Sequence, residues 1–177
     1  MDSQAQLMAI AKFAKQKLGQ DKSGHNFDHL SRVVKMARRI ATAMDQDPFV
    51  PVVAAYLHDT IDDKLVDNVD AAKEEVATFL TGLGLTADQV ELVMSIISQM
   101  SFASTLDGNR PALPLAGQIV QDADWLDAIG AIGITRAIYY GGKHHQVIYD
   151  PAMPPRENLT KDEYRNLDHE TLINHLH

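Results

Sequence analysis

Apolar residues at Leu7, Ile10, Ala11, Ala14 and Leu18 recur at three- and four-residue spacing, as do Leu30, Val33, Val34, Ala37, Ile40, Ala41 and Met44, so two amphipathic helices open the chain. Between them DKSGHNF is polar and contains glycine, which predicts a loop. Asp47 followed by Pro48 reads as an N-cap with proline at the first helical position and predicts a third helix from Pro48 to His58. Two further helical patterns run from Val69 to Leu83 and from Thr86 to Met100, the second opened by Thr86 and Gln89 at capping-box spacing. SFASTLDGNRP predicts a loop. From Leu115 to Tyr140 the pattern is helical again, with Gly130 and Gly133 marking a junction or a close helix–helix contact. The tail DPAMPPRENL is proline-rich and predicted irregular, and Thr160 with Glu163 predicts one last helix running to the end with little apolar surface to anchor it. With no alternating strand and no repeat, the expected fold is all-α: one helical bundle over residues 1–177, its core at about 20–145 and a tail at 146–177.

Composition narrows the chemistry. A chain of 177 residues, 45% hydrophobic, is long enough to bury a core without covalent staples. It has no cysteine, which excludes disulfides, thiolate metal sites and a cysteine nucleophile, so a bound metal would need imidazole and carboxylate ligands. A formal charge of −8 argues against broad binding to nucleic acid or an anionic membrane, whereas an anionic small molecule remains compatible if a cation sits in the site. The amino-terminal stretch MDSQAQLMAIAKFAKQKLG lacks the basic start and continuous apolar run of a signal peptide, and no segment approaches the ~18 apolar residues of a membrane span. A cytoplasmic protein is the expectation.

The residues that carry chemistry fall in the order H…HD…D. His29 stands near the start of the second helix, His58 and Asp59 at the end of the third, and Asp124 within QDADWLDAIG. His29 shares its helical face with Val33, Ala37 and Ile40, and Asp124 shares its own with Val120 and Ala128, so both polar groups are expected to point inward. A carboxylate removed from water costs several kcal/mol unless paired, and a divalent ion held by two imidazoles and two carboxylates pairs all of them at once. Manganese, iron, cobalt, nickel, zinc and magnesium all suit such ligands to some degree, with nitrogen donors favouring magnesium least. Taken singly, a histidine on an apolar face is more often an ordinary hydrogen-bonded core residue; the order and the phase give the set its weight.

These segments resemble the HD-domain phosphohydrolases, in particular small stand-alone bacterial HD proteins. SGHNFDHLSRV, AAYLHDTIDDK, QDADWLDAIGAIGI, IYDPAMPPRENLTKDEY and the closing INH carry the likeness and cover most of the chain. The resemblance implies an HD-domain bundle in which His29, His58, Asp59 and Asp124 hold one divalent metal ion. Asp124 rather than Asp122 takes the last position, because it precedes the leucine of the ADxL pattern; Asp122 is then either a group orienting a ligand or a solvated helix residue. HDTIDDK is also similar to the HDxxED motif of the ppGpp hydrolases, with aspartate for glutamate at the first acidic position. That likeness implies Asp62 and Asp63 as the catalytic pair handling the proton of the attacking water.

A phosphoryl-transfer site also needs groups to meet substrate oxygens. Arg32, Lys64 and Lys143 are the candidate cations, His25 is a candidate substrate contact or second-metal ligand, and Asp127 shares the face of Asp124 and is expected to shape the pocket. For each, an ordinary surface or loop role is the competing reading. Trp125 is expected to pack in the core, Tyr139 and Tyr140 either to stack a base or to pack at the helix end, and His175 and His177 to be ordinary terminal residues.

The activity implied is hydrolysis of a (deoxy)nucleoside triphosphate to monophosphate and pyrophosphate. Other branches of the resembled superfamily cleave nucleoside monophosphates or ppGpp. Two readings of other classes stand beside it: a di-iron HD oxygenase, for which His25 and Asp63 are the nearby extra ligands, and a metal-dependent nucleotide sensor without turnover. The expected partners are a phosphorylated small molecule and a second copy of the chain, with no nucleic acid and no membrane.

Overall fold

The computed structural model describes every residue except 1, 22, 23, 64, 107–111, 158, 167, 169, 176 and 177. Ten α-helices and one 3₁₀ helix are the regular elements among them, with no strand. α1 (Ser3–Leu18) is capped by Asp2, whose carboxylate accepts the Ala5 N–H at 2.7 Å, and it buries Ile10, Ala14 and Leu18. α2 (Phe27–Ala43) is capped by Asn26, whose side-chain oxygen accepts the N–H groups of Asp28 and His29 at 3.2 and 3.3 Å. This start brings His29 and Leu30, with Val33, Val34, Ala37 and Ala41, onto the inner face.

α3 (Phe49–Leu57) is the hub. The expected cap is corrected: the helix begins at Phe49, Pro48 rather than Asp47 is its N-cap and makes no side-chain cap bond, and Asp47 stands one residue before it, its carboxylate accepting the Phe49 N–H at 2.9 Å. Its sequence FVPVVAAYL is apolar all round, and Val52, Val53, Ala54, Ala55 and Leu57 are fully buried, because α1, α2, α5 (Ala87–Gln99) and α7 (Leu115–Asp127) pack about it. The expected helical end at His58 is corrected: from His58 to Ile61 the chain tightens into a 3₁₀ turn, fastened by the Thr60 hydroxyl donating to the Leu57 carbonyl at 2.6 Å.

α4 (Val69–Gly82) and α5 form a hairpin through Gly84, whose φ of +82° a side chain rarely tolerates, and Thr86 and Gln89 close the expected capping box. α6 (Phe102–Thr105) is a short turn inside the stretch expected to be loop. The long pattern from Leu115 divides into α7 and α8 (Gly130–Lys143). Both expected uses of glycine occur there. Gly130 has φ +66° at the junction, and a Cβ on Gly133 would run into the Ala128 carbonyl.

α8 is amphipathic in the reverse sense. Ile132, Ile134, Ile138 and Tyr139 are exposed, whereas Gly133 and Gly141 are buried and Arg136 turns inward. Thr160 and Glu163 form the expected capping box, but α9 (Lys161–Arg165) stops at extended Asn166, and a separate turn, α10 (Leu172–His175), follows. The end is anchored better than its composition promised. Thr171 and Leu172 are buried, the N–H groups of Leu172 and Ile173 donate to the Val147 and Ile148 carbonyls, and Leu172 packs on Gly141.

Candidate metal centre

Four side chains converge where α2, the 3₁₀ turn and α7 meet. His29 Nε2 lies 3.3 Å from His58 Nε2, 3.5 Å from Asp59 Oδ2 and 3.3 Å from Asp124 Oδ1. His58 Nε2 lies 3.2 Å from Asp59 Oδ1 and 3.7 Å from Asp124 Oδ1. The donor atoms of His29, His58 and Asp59 all fall within 4.8 Å of one another, and these three residues are buried. Asp124 is partly open to solvent and forms the outer wall.

The other ring nitrogens decide what this cluster suits. His58 Nδ1 donates to the Ala55 carbonyl at 3.0 Å, and His29 Nδ1 donates to Asp127 Oδ2 at 2.8 Å. Both acceptors lack protons, so each Nδ1 carries a hydrogen and the two Nε2 atoms, whose lone pairs are available to a metal once unprotonated, face one another and the carboxylates. Lone pairs and anionic oxygens crowded at such distances repel unless a proton or a metal cation sits among them. Asp59 Oδ2 is buried and has no hydrogen-bond partner among the described residues, which leaves a coordination position on the inner wall. The residues therefore fit a divalent ion with mixed nitrogen and oxygen ligands.

The electrostatics of the bare cluster agree. Burial disfavours a charged His29, but hydrogen bonds to Asp124 and Asp127 and the charge of Asp59 outweigh it and push its pKa up to about 8. Burial likewise opposes ionisation of Asp124, yet its hydrogen bond to His29 and the charge of His58 bring it down to about 2. Asp127 is held well below the usual carboxylate range, its burial overcome by hydrogen bonds to His29 and Arg32.

Asp127, expected to shape the pocket, is already engaged by three side chains. Arg32 grips its two oxygens at 2.6 and 3.0 Å, Arg136 reaches Oδ2 at 3.1 Å, and His29 takes the same oxygen. The carboxylate is nearly buried, and its oxygens are taken up by His29, Arg32 and Arg136. Arg32 keeps an open side, being 37% exposed.

His25 is half-buried, its ring 6.1 Å from that of His29 and 6.3 Å from that of Tyr140, so it borders the cluster. Lys143 lies farther out, 47% exposed and 4.0 Å from Asp21, whose other oxygen accepts the His25 N–H at 3.0 Å. Asp62 is half-buried and Asp63 exposed in the bend directly after the 3₁₀ turn, where the Asp62 N–H donates to the Asp59 carbonyl at 3.3 Å. Lys64 and His177 lie outside the described residues. Asp122 is exposed, in keeping with a solvated helix residue. Trp125 is 40% exposed, so the expectation of core packing was wrong: one residue past an inward Asp124, the helix turns it out.

Sequence reasoning missed Arg136. It stands nine residues after Asp127, which on one continuous helix places the two on opposite faces, about 180° apart. Only the break between α7 and α8 lets them meet, and no local spacing signals that contact.

The family model for the HD domain matches residues 26–129, more than half of the chain. This chain belongs to the HD-domain family. A protein from Lactobacillus plantarum is similar in structure with a TM-score of 0.89 and 44% identity, covering 99% of this chain and 81% of that one. YpgQ of Bacillus subtilis (strain 168) is 39% identical over 132 residues, or 75% of this chain, which spans 64% of the length of that curated relative. The structure of YpgQ in complex with ADP superposes with a TM-score of 0.71 at 34% identity, covering 85% of this chain and 72% of that one. An HD-superfamily hydrolase from Bacillus thuringiensis gives a TM-score of 0.67 at 32% identity over 92% of this chain and 78% of its own. The HD-superfamily hydrolase fold and a His/Asp cluster fit for a divalent metal therefore occur together here. No helix among the described residues is long and apolar enough to cross a membrane.

Proposed function

We propose that the chain is a metal-dependent phosphohydrolase that cleaves a (deoxy)nucleoside triphosphate to monophosphate and pyrophosphate. The observation that carries the reading is the pair of Nε2 atoms, turned face to face by committed Nδ1 hydrogens and flanked by Asp59 and Asp124. That YpgQ has been solved with ADP supports a nucleotide ligand for this relative as well.

His29, His58, Asp59 and Asp124 would hold the ion. When bound, a divalent ion in this position supplies positive charge to phosphoryl oxygens and lowers the pKa of a water molecule. The protein's own groups do the rest. Asp127 keeps the His29 ring in the tautomer that presents Nε2, and the Ala55 carbonyl does the same for His58. The open side of Arg32 offers a cation to phosphate oxygens, His25 borders His29, and Lys143, farther out, would meet the distal part of a substrate. Asp62 or Asp63 accepts the proton of the attacking water.

The test is a screen for phosphate and pyrophosphate release over ribo- and deoxynucleoside mono-, di- and triphosphates and ppGpp, with Mn²⁺, Fe²⁺, Co²⁺, Ni²⁺, Zn²⁺ and Mg²⁺ in turn. Metal-dependent pyrophosphate release from triphosphates, absent in Asp59→Ala, is the expected result. Release of orthophosphate from monophosphates alone would replace this substrate assignment, and no release from any nucleotide with any metal would remove the hydrolase reading.

A further inference from the structure

Arg136 joins three parts of the site that no covalent neighbour joins. Its Nε donates to the Gly24 carbonyl at 3.0 Å, in the loop that precedes α2, and its NH1 donates to both the main-chain carbonyl and the carboxylate of Asp127 at 3.3 and 3.1 Å. The side chain is 19% exposed, so these bonds form largely out of water. Gly24 stands at φ +94°, a conformation that aims its carbonyl at α8 and that a side chain resists, while Arg136 lies in ordinary contact beneath it.

The ends that Arg136 grips each lead directly to an expected ligand. Gly24 precedes the Asn26 cap that starts α2, and His29 lies in the first turn; Asp127 ends α7, one helical turn after Asp124. The helices that start and stop at those two ends carry His29 Nε2 and Asp124 Oδ1, which lie 3.3 Å apart.

We propose that Arg136 is a positioning residue for the metal centre: by bridging the Gly24 carbonyl and Asp127 it fixes the spacing between His29 and Asp124 and the orientation of the His29 ring. This rests on the metal-centre reading above. The planar fork matters more than the charge. Asp127 already has Arg32 as a counter-ion, whereas only a guanidinium can reach a carbonyl on one side with Nε and two oxygens of another residue with NH1.

Arg136→Lys separates the two explanations, since it keeps the charge and loses the fork. The probe is Co²⁺ alone, titrated into the full chain by calorimetry and followed through its visible absorption, which reports ligand number and geometry; thermal unfolding of the metal-free variants monitors the fold. Arg136→Lys is expected to bind Co²⁺ about 10–100-fold more weakly and with an altered spectrum. Gly24→Ala, which displaces the same carbonyl, should reproduce the change, and the double variant should add little to either. Parent-like affinity and spectrum in Arg136→Lys, alongside loss of Co²⁺ binding in Asp59→Ala, would overturn the role of Arg136 and leave the metal centre standing. Undiminished Co²⁺ binding in Asp59→Ala would overturn the centre itself. A proportionate fall in affinity and melting temperature with an unaltered spectrum would reduce Arg136 to a structural residue and likewise overturn the proposal.

Discussion

Ile96 and Ile138 stand for two differently built halves of the molecule. Ile96 is fully buried in the body around α3, where apolar faces meet and the polar side chains of His29, His58 and Asp59 turn inward together. Ile138 is 54% exposed on α8, which sends its apolar side outward and its arginine inward. The body is held by area removed from water. The α8 flank is fastened at discrete points: Arg136 to Gly24 and Asp127, Lys143 beside Asp21, and Leu172 over Gly141. Burial thus holds the His/Asp cluster, and a handful of polar bonds fastens what surrounds it.

That contrast breaks if groups on the rim prove to do no chemistry. Replacing Asp62 or Asp63 by asparagine is expected to lower turnover about 10²–10⁴-fold for whichever handles the proton, with metal content intact by elemental analysis. Parent-like turnover in both variants would move proton transfer elsewhere.

Stability sharpens the contrast next. Ile96→Ala should cost about 2–5 kcal/mol in urea denaturation, whereas Ile138→Ala should stay within about 0.5 kcal/mol. Comparable losses at the two positions would mean that α8 is buried in solution, as by a second copy of the chain.

Asp127→Asn lies on the border between the halves. Removing the charge and one acceptor from His29 Nδ1 should weaken Mn²⁺ binding about 10–100-fold while the chain still folds, read by calorimetric titration.

The smallest and most gradual effect is that of pH. The raised pKa of His29, about 8 against 6.5, contributes stability to the metal-free chain that is complete below 6.5 and is lost as pH rises through about 8. The depressed Asp124, about 2 against 3.8, contributes stability present above 3.8 and lost as pH falls through about 2. Metal competes with the His29 proton. Mn²⁺ affinity should therefore rise by up to about tenfold per pH unit toward pH 8 and then level off, and an affinity flat from pH 6 to 8 would contradict the raised imidazole.

The division of labour also explains what the sequence made legible. Helical period and caps follow local rules, so α1, α2, α4 and α5 and the capping boxes at Thr86 and Thr160 were readable, as was the inward phase of His29 and Asp124. The 3₁₀ turn at His58 was not, because an apolar run followed by a polar pair signals an end without its winding. Asp127 shared the right face, but its partners come from α2 and α8, and Arg136 reaches it only because the helix is broken between Asp127 and Gly130. The anchored tail depended on main-chain bonds to Val147 and Ile148, which no side-chain pattern encodes.

The central claim is that His29, His58, Asp59 and Asp124 hold a divalent ion. Equilibrium dialysis of the purified, metal-stripped chain against Mn²⁺ tests it most directly, with Asp59→Ala run in parallel. Saturable binding of a single ion per chain, lost in Asp59→Ala, is the result this account predicts; no saturable binding by the parent, or equal binding by the variant, would contradict it.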